Sequence, residues 1–269
     1  GNGVHFLSHK DRKVVRRFFH DVNDKEGIRS NSIYSLLVDD RGAVWVGHFQ
    51  AGLDYSLYQN GLFRTYAYPP QFNSANLSIR SFVNRGPEKV IGSRDGLFYI
   101  NEATGIVKSF VKPVLTSDLI LTICFYEGEY YIGTYGGGMM VLNPQTLSLK
   151  YFTQGDTELF QKGHIFCVKP DNRGNLWIGT SQGLFCYNGQ TKQIKNFTST
   201  NSQLPEGNVY EVSFDSTGKG WIATETGMCI YDPASQSLRS NVFPEGFVHK
   251  DKVRTIYEDA EHNLYFIRE

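Results

Sequence analysis

The chain has 269 residues, 40% hydrophobic and 20% charged, an ordinary globular composition that can bury a sizeable core and excludes a disordered chain. Lys plus Arg and Asp plus Glu each number 27, so no overall basic field points to nucleic acid and any charge selectivity is local. No run approaches the ~20 apolar residues of a membrane span, and the start GNGVHFLSHKDRK lacks a signal-peptide core, so the reading is a soluble part without membrane insertion of its own.

In chain order, GVHFLSHKDRKVVRRFF (3 to 19) predicts two strands, with the basic run HKDRKVVRR (9 to 17) as a solvated outer face. A first complete unit, about 31–66, opens on the apolar run SIYSLLV (32 to 38) and continues through DDRGAVWVGHFQAGLDY (39 to 55). The polar link AYPPQFNSANL leads to a second unit, about 78–110, with SIRSFV (78 to 83) and EKVIGSRDGLFYI (88 to 100). A third, about 118–152, holds LILTICFY (119 to 126) and EYYIGTYGGGMMVL (129 to 142). The fourth, about 163–197, holds HIFCVKP (164 to 170) and DNRGNLWIGTSQGLFCY (171 to 187). The fifth, about 207–243, holds NVYEVSF (208 to 214) and DSTGKGWIATETGMCIY (215 to 231). The tail, 250–269, is a first half-unit with KVRTIYE (252 to 258) and DAEHNLYFIRE (259 to 269).

The anchors Trp45, Val90, Tyr131, Trp177, Trp221 and Tyr265 are 41 to 46 residues apart, and all three tryptophans share one phase. That period is typical of four-stranded propeller blades. Each unit reads as a first strand buried on both faces, an Asp-x-x-Gly turn, a second strand carrying Trp-Ile-Gly-Thr, a third opening at Gly-Leu and a short fourth. Helical periodicity is absent. The fold class is therefore all-β: a β-propeller of four-stranded antiparallel blades, about six in number, forming one domain over 1–269. The last blade is composite, built from 250–269 with 3–20, because Gly3-Val4 stands where Gly96-Leu97 and Gly183-Leu184 stand. Closure through both termini removes exposed sheet edges. A piece cut from a longer array would instead leave the halves in different blades, with seven in the ring. Cys124, Cys167, Cys186 and Cys229 lie in apolar runs without ligand spacing and read as buried thiols, with a disulfide as the alternative.

The pattern N-S-I-Y-S-L-x-x-D-D-R-G-x-x-W-V-G, followed by G-L and a closing aromatic, resembles the two-component regulator propeller repeat. The resemblance runs over the whole chain, strongest at Trp45, Trp177 and Trp221, and weaker at Val90 and Tyr131, which lack the tryptophan. It implies a periplasmic ligand-sensing domain of a hybrid two-component system for carbohydrate use. It also implies a downstream histidine-kinase region of the same chain as partner and, in many members, tandem seven-bladed propellers. This chain departs from that pattern in its count of six and in carrying no span, kinase or regulator segment.

The Asp-turn-Trp motif also resembles the Asp-box of sialidase-like enzymes, itself a structural turn. Turn chemistry alone accounts for Asp39, Asp171, Asp215 and their glycines. Candidate binding residues fall on the variable loops between second and third strands and at the starts of the first strands: His48, Phe49, Gln50, Arg80, Arg94, Tyr135, Gln182, Glu225, Arg254 and Arg268. Arg80 and Arg94 are read in the same phases as Arg254 and Arg268. Four converging guanidiniums would suit the carboxylate or sulfate of an acidic sugar, while Phe49 and Tyr135 would stack on its rings. The competing reading packs Arg80 and Arg254 between blades, in the phase of Tyr34, Phe166 and Tyr210.

No HExxH, paired-His spacing, GxSxG or P-loop occurs, so neither metal nor cofactor is expected, and TYGGGMM (134 to 140) is an ordinary turn. The expected function is a non-enzymatic sensor that binds an oligosaccharide, with a homodimer as a further candidate arrangement and no nucleic-acid partner. The alternatives are a lyase or glycosidase propeller acting on an acidic glycan and a structural protein-interaction propeller.

Overall fold

The structure is a computed structural model and describes residues 3–7, 13–24, 26–39, 42–57, 63–65, 78–155, 157–240, 252–258 and 264–268. The predicted link 67–77, the ends of the first and fifth units at 66 and 241–243, and part of the basic run lie outside them. The fold is all-β, in blades of four antiparallel strands, and divides into two compact units, 1–111 with 118–120 and 112–117 with 121–269.

In the first unit, β1 (Val4–Leu7) pairs with β2 (Val14–Phe18) as a two-stranded ladder. The first blade runs β3 (Ile33–Val38), β4 (Ala43–His48), β5 (Leu53–Leu57) and β6 (Phe63–Thr65) in sequence order. The second runs β7 (Ile79–Arg85), β8 (Glu88–Ser93), β9 (Leu97–Asn101) and β10 (Ile106–Phe110). The β1–β2 ladder packs on the first blade: Val4 and Phe18 join Val44, Val46 and Phe63 in one apolar cluster. Lys13, Arg16 and Arg17 are exposed, as a solvated face requires.

The second unit holds three blades. The third blade comprises β11 (Ile120–Tyr126), β12 (Glu129–Thr134), β13 (Met139–Asn143) and β14 (Ser148–Tyr151). A helix α1 (Thr157–Lys162) leads to the fourth: β15 (Ile165–Pro170), β16 (Asn175–Thr180), β17 (Gly183–Asn188) and β18 (Ile194–Phe197). The fifth is β19 (Val209–Phe214), β20 (Gly220–Thr224), β21 (Gly227–Asp232) and β22 (Ser237–Arg239). The tail gives β23 (Val253–Glu258) and β24 (Leu264–Arg268), a two-stranded ladder that packs on the fifth blade through Val253 and Ile256 against Ala223 and Met228. The described residues thus show five complete blades plus two separate two-stranded ladders where the sequence predicts a sixth, composite blade.

Two expectations are corrected. Helical periodicity fails as an indicator at α1, which is too short to repeat a face yet buries Leu159 and Phe160 completely in the core beside β15. The first strands are not buried on both faces throughout: along β3, Tyr34, Leu36 and Val38 are 47%, 56% and 66% exposed. The second strand of the sheet is the one enclosed on both faces, and β4 is buried along its whole length.

Neighbouring blades lock through the anchor residues. Trp177 packs against Phe214 and Tyr231 of the next blade, with ring centroids 6.0 and 4.5 Å away, and Trp45 meets Phe82 at 5.8 Å. Gly179, two residues after Trp177, sits where the next blade crosses. A Cβ there would lie 2.5 Å from Cys167 Sγ and 2.7 Å from the Val209 carbonyl oxygen. All four cysteines are free thiols, so the disulfide alternative falls away. Burial pushes the Cys124 and Cys186 thiols up to about 12, and Cys167 and Cys229 higher still.

Candidate functional site

The motif that dominates the sequence belongs to the scaffold. Asp39, Asp171 and Asp215 each accept the backbone N–H four residues on at 2.8 to 3.0 Å with one oxygen, and the indole N–H of Trp45, Trp177 or Trp221 at 2.9 to 3.0 Å with the other. One carboxylate therefore closes the turn and fixes the tryptophan. Burial alone would raise the pKa of Asp215. The hydrogen bonds from Thr217, Trp221 and the Lys219 backbone outweigh it and hold the carboxyl below its ordinary range.

The end of each second strand closes the next turn. Ser93, Thr134, Thr180 and Thr224, all fully buried, donate their hydroxyls to the carbonyls of Gly96, Gly138, Gly183 and Gly227 at 2.8 to 3.1 Å. His48 occupies that inward phase in the first blade. It is fully buried, with Nε2 2.9 Å from Asp54 Oδ2, and Asp54 also accepts the Arg29 backbone N–H at 2.9 Å. The structure therefore places His48 in the blade interior, not at a loop tip. Arg268 shifts likewise. Its backbone pairs with Val253 as Ser93 pairs with Ile79, so its phase is that of His48 and Ser93, one residue before that of Arg94. The Arg268 side chain lies outside the description.

The residue after this phase is clamped to the start of the first strand. The backbone N–H groups of Phe49, Arg94, Ser181 and Glu225 donate to the carbonyls of Ser32, Ser78, His164 and Asn208 at 2.9 to 3.2 Å. In these four blades the turn after the second strand and the start of the first strand therefore lie side by side.

At that surface five of the first strands share a feature that the sequence conceals. β3, β7, β15, β19 and β23 each slip register by one residue, between Ile33 and Ser35, Ile79 and Ser81, Ile165 and Cys167, Val209 and Glu211, and Val253 and Thr255. The extra residue of such a bulge leaves the ladder and its side chain is re-aimed. Those residues are Tyr34, Arg80, Phe166, Tyr210 and Arg254: aromatic or guanidinium at every one.

In the second unit they form a continuous track. Tyr135, half exposed, stacks on His164 at 4.0 Å; His164 lies 6.2 Å from Phe166, and Phe166 5.2 Å from Tyr210. The Arg254 guanidinium lies 4.2 Å over the Tyr210 ring and the Lys252 amine 5.6 Å from it, both within cation–π range. Asn208 donates to the Tyr210 hydroxyl at 3.1 Å, and Glu225 Oε2 accepts the Asn208 backbone N–H at 3.2 Å. His164 Nδ1 is buried without a hydrogen-bond partner among the described residues. Of the predicted residues, Tyr135, Glu225 and Arg254 meet here. Gln182 is exposed on the turn whose Ser181 is clamped to His164.

The first unit carries a shorter version. Tyr34 lies 5.2 Å from Phe49 and 4.9 Å beneath the Arg80 guanidinium, whose Nε is buried without a partner among the described residues. Gln50 adopts a φ of 53°, with its N–H 3.3 Å from Ser78 Oγ, and Arg94 is exposed. Arg80 and Arg254 thus both lie over a tyrosine of the preceding blade, as the packing alternative requires. Each arginine stands at the loop-and-strand-start surface of its own unit. Sequence reasoning assigned Phe166, Tyr210 and Tyr34 to blade packing, and the shared phase with the two arginines was the signal that joined them. Such a surface offers ring faces, two cations and amide groups: the means to stack on planar or sugar-ring faces and to hold an anionic substituent.

Segments 27–50 and 160–182 match the two-component regulator propeller family. Among solved structures, the extracellular domain of BT3049, assigned to a hybrid two-component system of B. thetaiotaomicron, is 22% identical with a TM-score of 0.77, over 99% of this chain and 35% of that one. The extracellular domain of BT4673 from B. thetaiotaomicron, likewise assigned to a hybrid two-component system, is 17% identical with a TM-score of 0.61, over 93% and 38%. PorZ, a surface component of the type-IX secretion system of Porphyromonas gingivalis, is 14% identical with a TM-score of 0.65, over 100% and 48%. These likenesses establish the propeller fold. The chain spans between 35% and 48% of the length of these three structures. No curated protein matches it in sequence.

Proposed function

We propose that the chain is the ligand-sensing part of a bacterial hybrid two-component sensor, because its segments 27–50 and 160–182 match the two-component regulator propeller family. It faces the periplasm, binds an oligosaccharide and reports to a histidine-kinase region of the same polypeptide. No helix among the described residues is long and apolar enough to cross a membrane.

The observation that carries the reading is the track from Tyr135 through His164, Phe166 and Tyr210 to Lys252 and Arg254. Ring faces supply apolar area to the C–H faces of sugars, and the cations at one end favour a carboxylate or sulfate. In the first unit Arg80 and Arg94 are proposed to give the shorter surface the same preference, and His48 supports the fold beneath Phe49 and Gln50. The site is proposed to bind without turnover, and a signal arises only if the bound geometry differs from the free one.

Calorimetric titration with neutral and acidic oligosaccharides, followed by product analysis, tests this. Saturable binding of an acidic member without product supports the sensor. Product formation replaces it with a lyase or glycosidase propeller, and silence across the panel replaces it with a protein-interaction module. Arg94→Ala and Arg254→Ala each weaken an anionic ligand by about tenfold, the loss of roughly one charge-assisted hydrogen bond; an unchanged affinity removes that arginine from the site.

A further inference from the structure

A second feature lies away from the track, at the outer ends of the fourth and fifth blades. β18 and β22, the outermost strands of their sheets, border a cleft of about 410 Å³, within the range of small-ligand sites. Its floor is Phe197 and Leu238, both nearly buried, and Trp177 stacks behind Phe197 at 5.8 Å and 15°. Its walls are Lys195 and Asn196 on one side, Asn201, Ser202 and Gln203 of the connecting link, and Gln236 and Ser237 on the other.

Amides and hydroxyls make up most of the named wall side chains, and no carboxylate among the described residues lines them. The one cation among the described lining residues, Lys195, is already engaged: its amine lies 4.8 Å from the Phe197 ring centroid and 3.5 Å from the Gln236 carbonyl. Outermost strands expose backbone groups that a peptide could pair with, but side chains of the link cap both edges. Asn201 Nδ2 donates to the Asn196 carbonyl at 3.3 Å, and Gln203 Oε1 accepts the Ser240 N–H at 3.3 Å. Each contact occupies one backbone group, at Asn196 in β18 and at Ser240 just past the end of β22. The remaining functions of the same amides, among them the Gln203 Nε2 donors, suit vicinal hydroxyl groups, for which one amide can both donate and accept.

The geometry points to a second binding site in this cleft, for an uncharged, hydroxyl-rich ligand of one or two sugar rings, held edge-on by Asn196, Asn201, Gln203 and Gln236. It is independent of the track and shares no residue with it. The test follows the side-chain amide NMR signals of the 269-residue chain during titration with maltose, cellobiose and lactose, and with a blocked Val-Thr-Val-Thr peptide. Saturable shifts at Asn201, Gln203 and Gln236 are expected with at least one disaccharide. Gln203→Glu keeps the acceptor for the Ser240 N–H and loses both donors, so it lowers that affinity by about tenfold while the fold persists. Tyr210→Ala leaves it unchanged, which separates this site from the proposed sensor surface. No shift with any disaccharide at millimolar concentration, or shifts with the peptide alone, overturns the proposal.

Discussion

Replacing Asp171 by Ala removes the acceptor of four hydrogen bonds: from the backbone N–H groups of Arg173 and Asn175 at 2.8 Å each, and from Asn175 Nδ2 and the Trp177 indole at 2.9 Å each. The partners do not lose equally. Arg173 is exposed and Asn175 half-buried, so water replaces the carboxylate there at little cost. Trp177 is 1% exposed, and its indole N–H is left without a partner at about 1–3 kcal/mol. Loss of the turn closure adds about 1 kcal/mol, the usual value for a capping carboxylate. The sum, about 3 kcal/mol, corresponds to a fall in Tm of roughly 5–12 °C for a chain of this size. Asp171→Asn recovers less than half of this, since its amide presents a donor to one of the same donors. Urea and thermal unfolding of both variants by circular dichroism provide the measurement. A loss below about 0.5 kcal/mol in Asp171→Ala, the size of an ordinary surface change, would refute the claim that the carboxylate holds the tryptophan in place.

Gly179→Val forces a side chain against Cys167 Sγ and the Val209 backbone, and unfolding experiments are expected to show at least ~3 kcal/mol lost, at the upper end of overpacking effects. Asp215, with its pKa depressed in the fold, contributes stability that is fully present above the unfolded-state value near ~4. That contribution is lost as pH falls through the lower folded value. Asp215→Asn should therefore flatten acid unfolding below about pH 4, and an unchanged profile would contradict the assignment. Thiol titration at pH ~8 should find Cys124, Cys167 and Cys229 silent in the folded chain, because free cysteine ionises near that pH and burial raises all three; rapid labelling of the native protein would show that the core is open.

The blades were legible in the sequence because their chemistry is local. Asp171, Gly174 and Trp177 lie within a few residues of one another, and the turn they make needs nothing beyond that segment, Gly174 supplying the φ of 78°. Helix α1 was not legible, since its six residues span under two turns and cannot repeat a face. The candidate surface was half legible. The turns between second and third strands stand where the repeat puts them, but a single-residue bulge leaves no mark on composition, and Phe166 and Tyr210 are bulge residues that line up between His164 and Arg254. His48 misled for a similar reason. A polar residue at the end of β4 reads as a loop tip until the register shows it opposite Ile33, in the phase where other blades bury a hydroxyl.

The central claim, that the bulge residues present a binding track, is tested most directly by aromatic carbon–proton NMR while the tightest-binding acidic oligosaccharide is added. The account predicts shifts at the rings of Tyr135, Phe166 and Tyr210, with the fully buried rings of Tyr99 and Tyr130 unmoved. Saturable binding by calorimetry with those three track rings unshifted would contradict it.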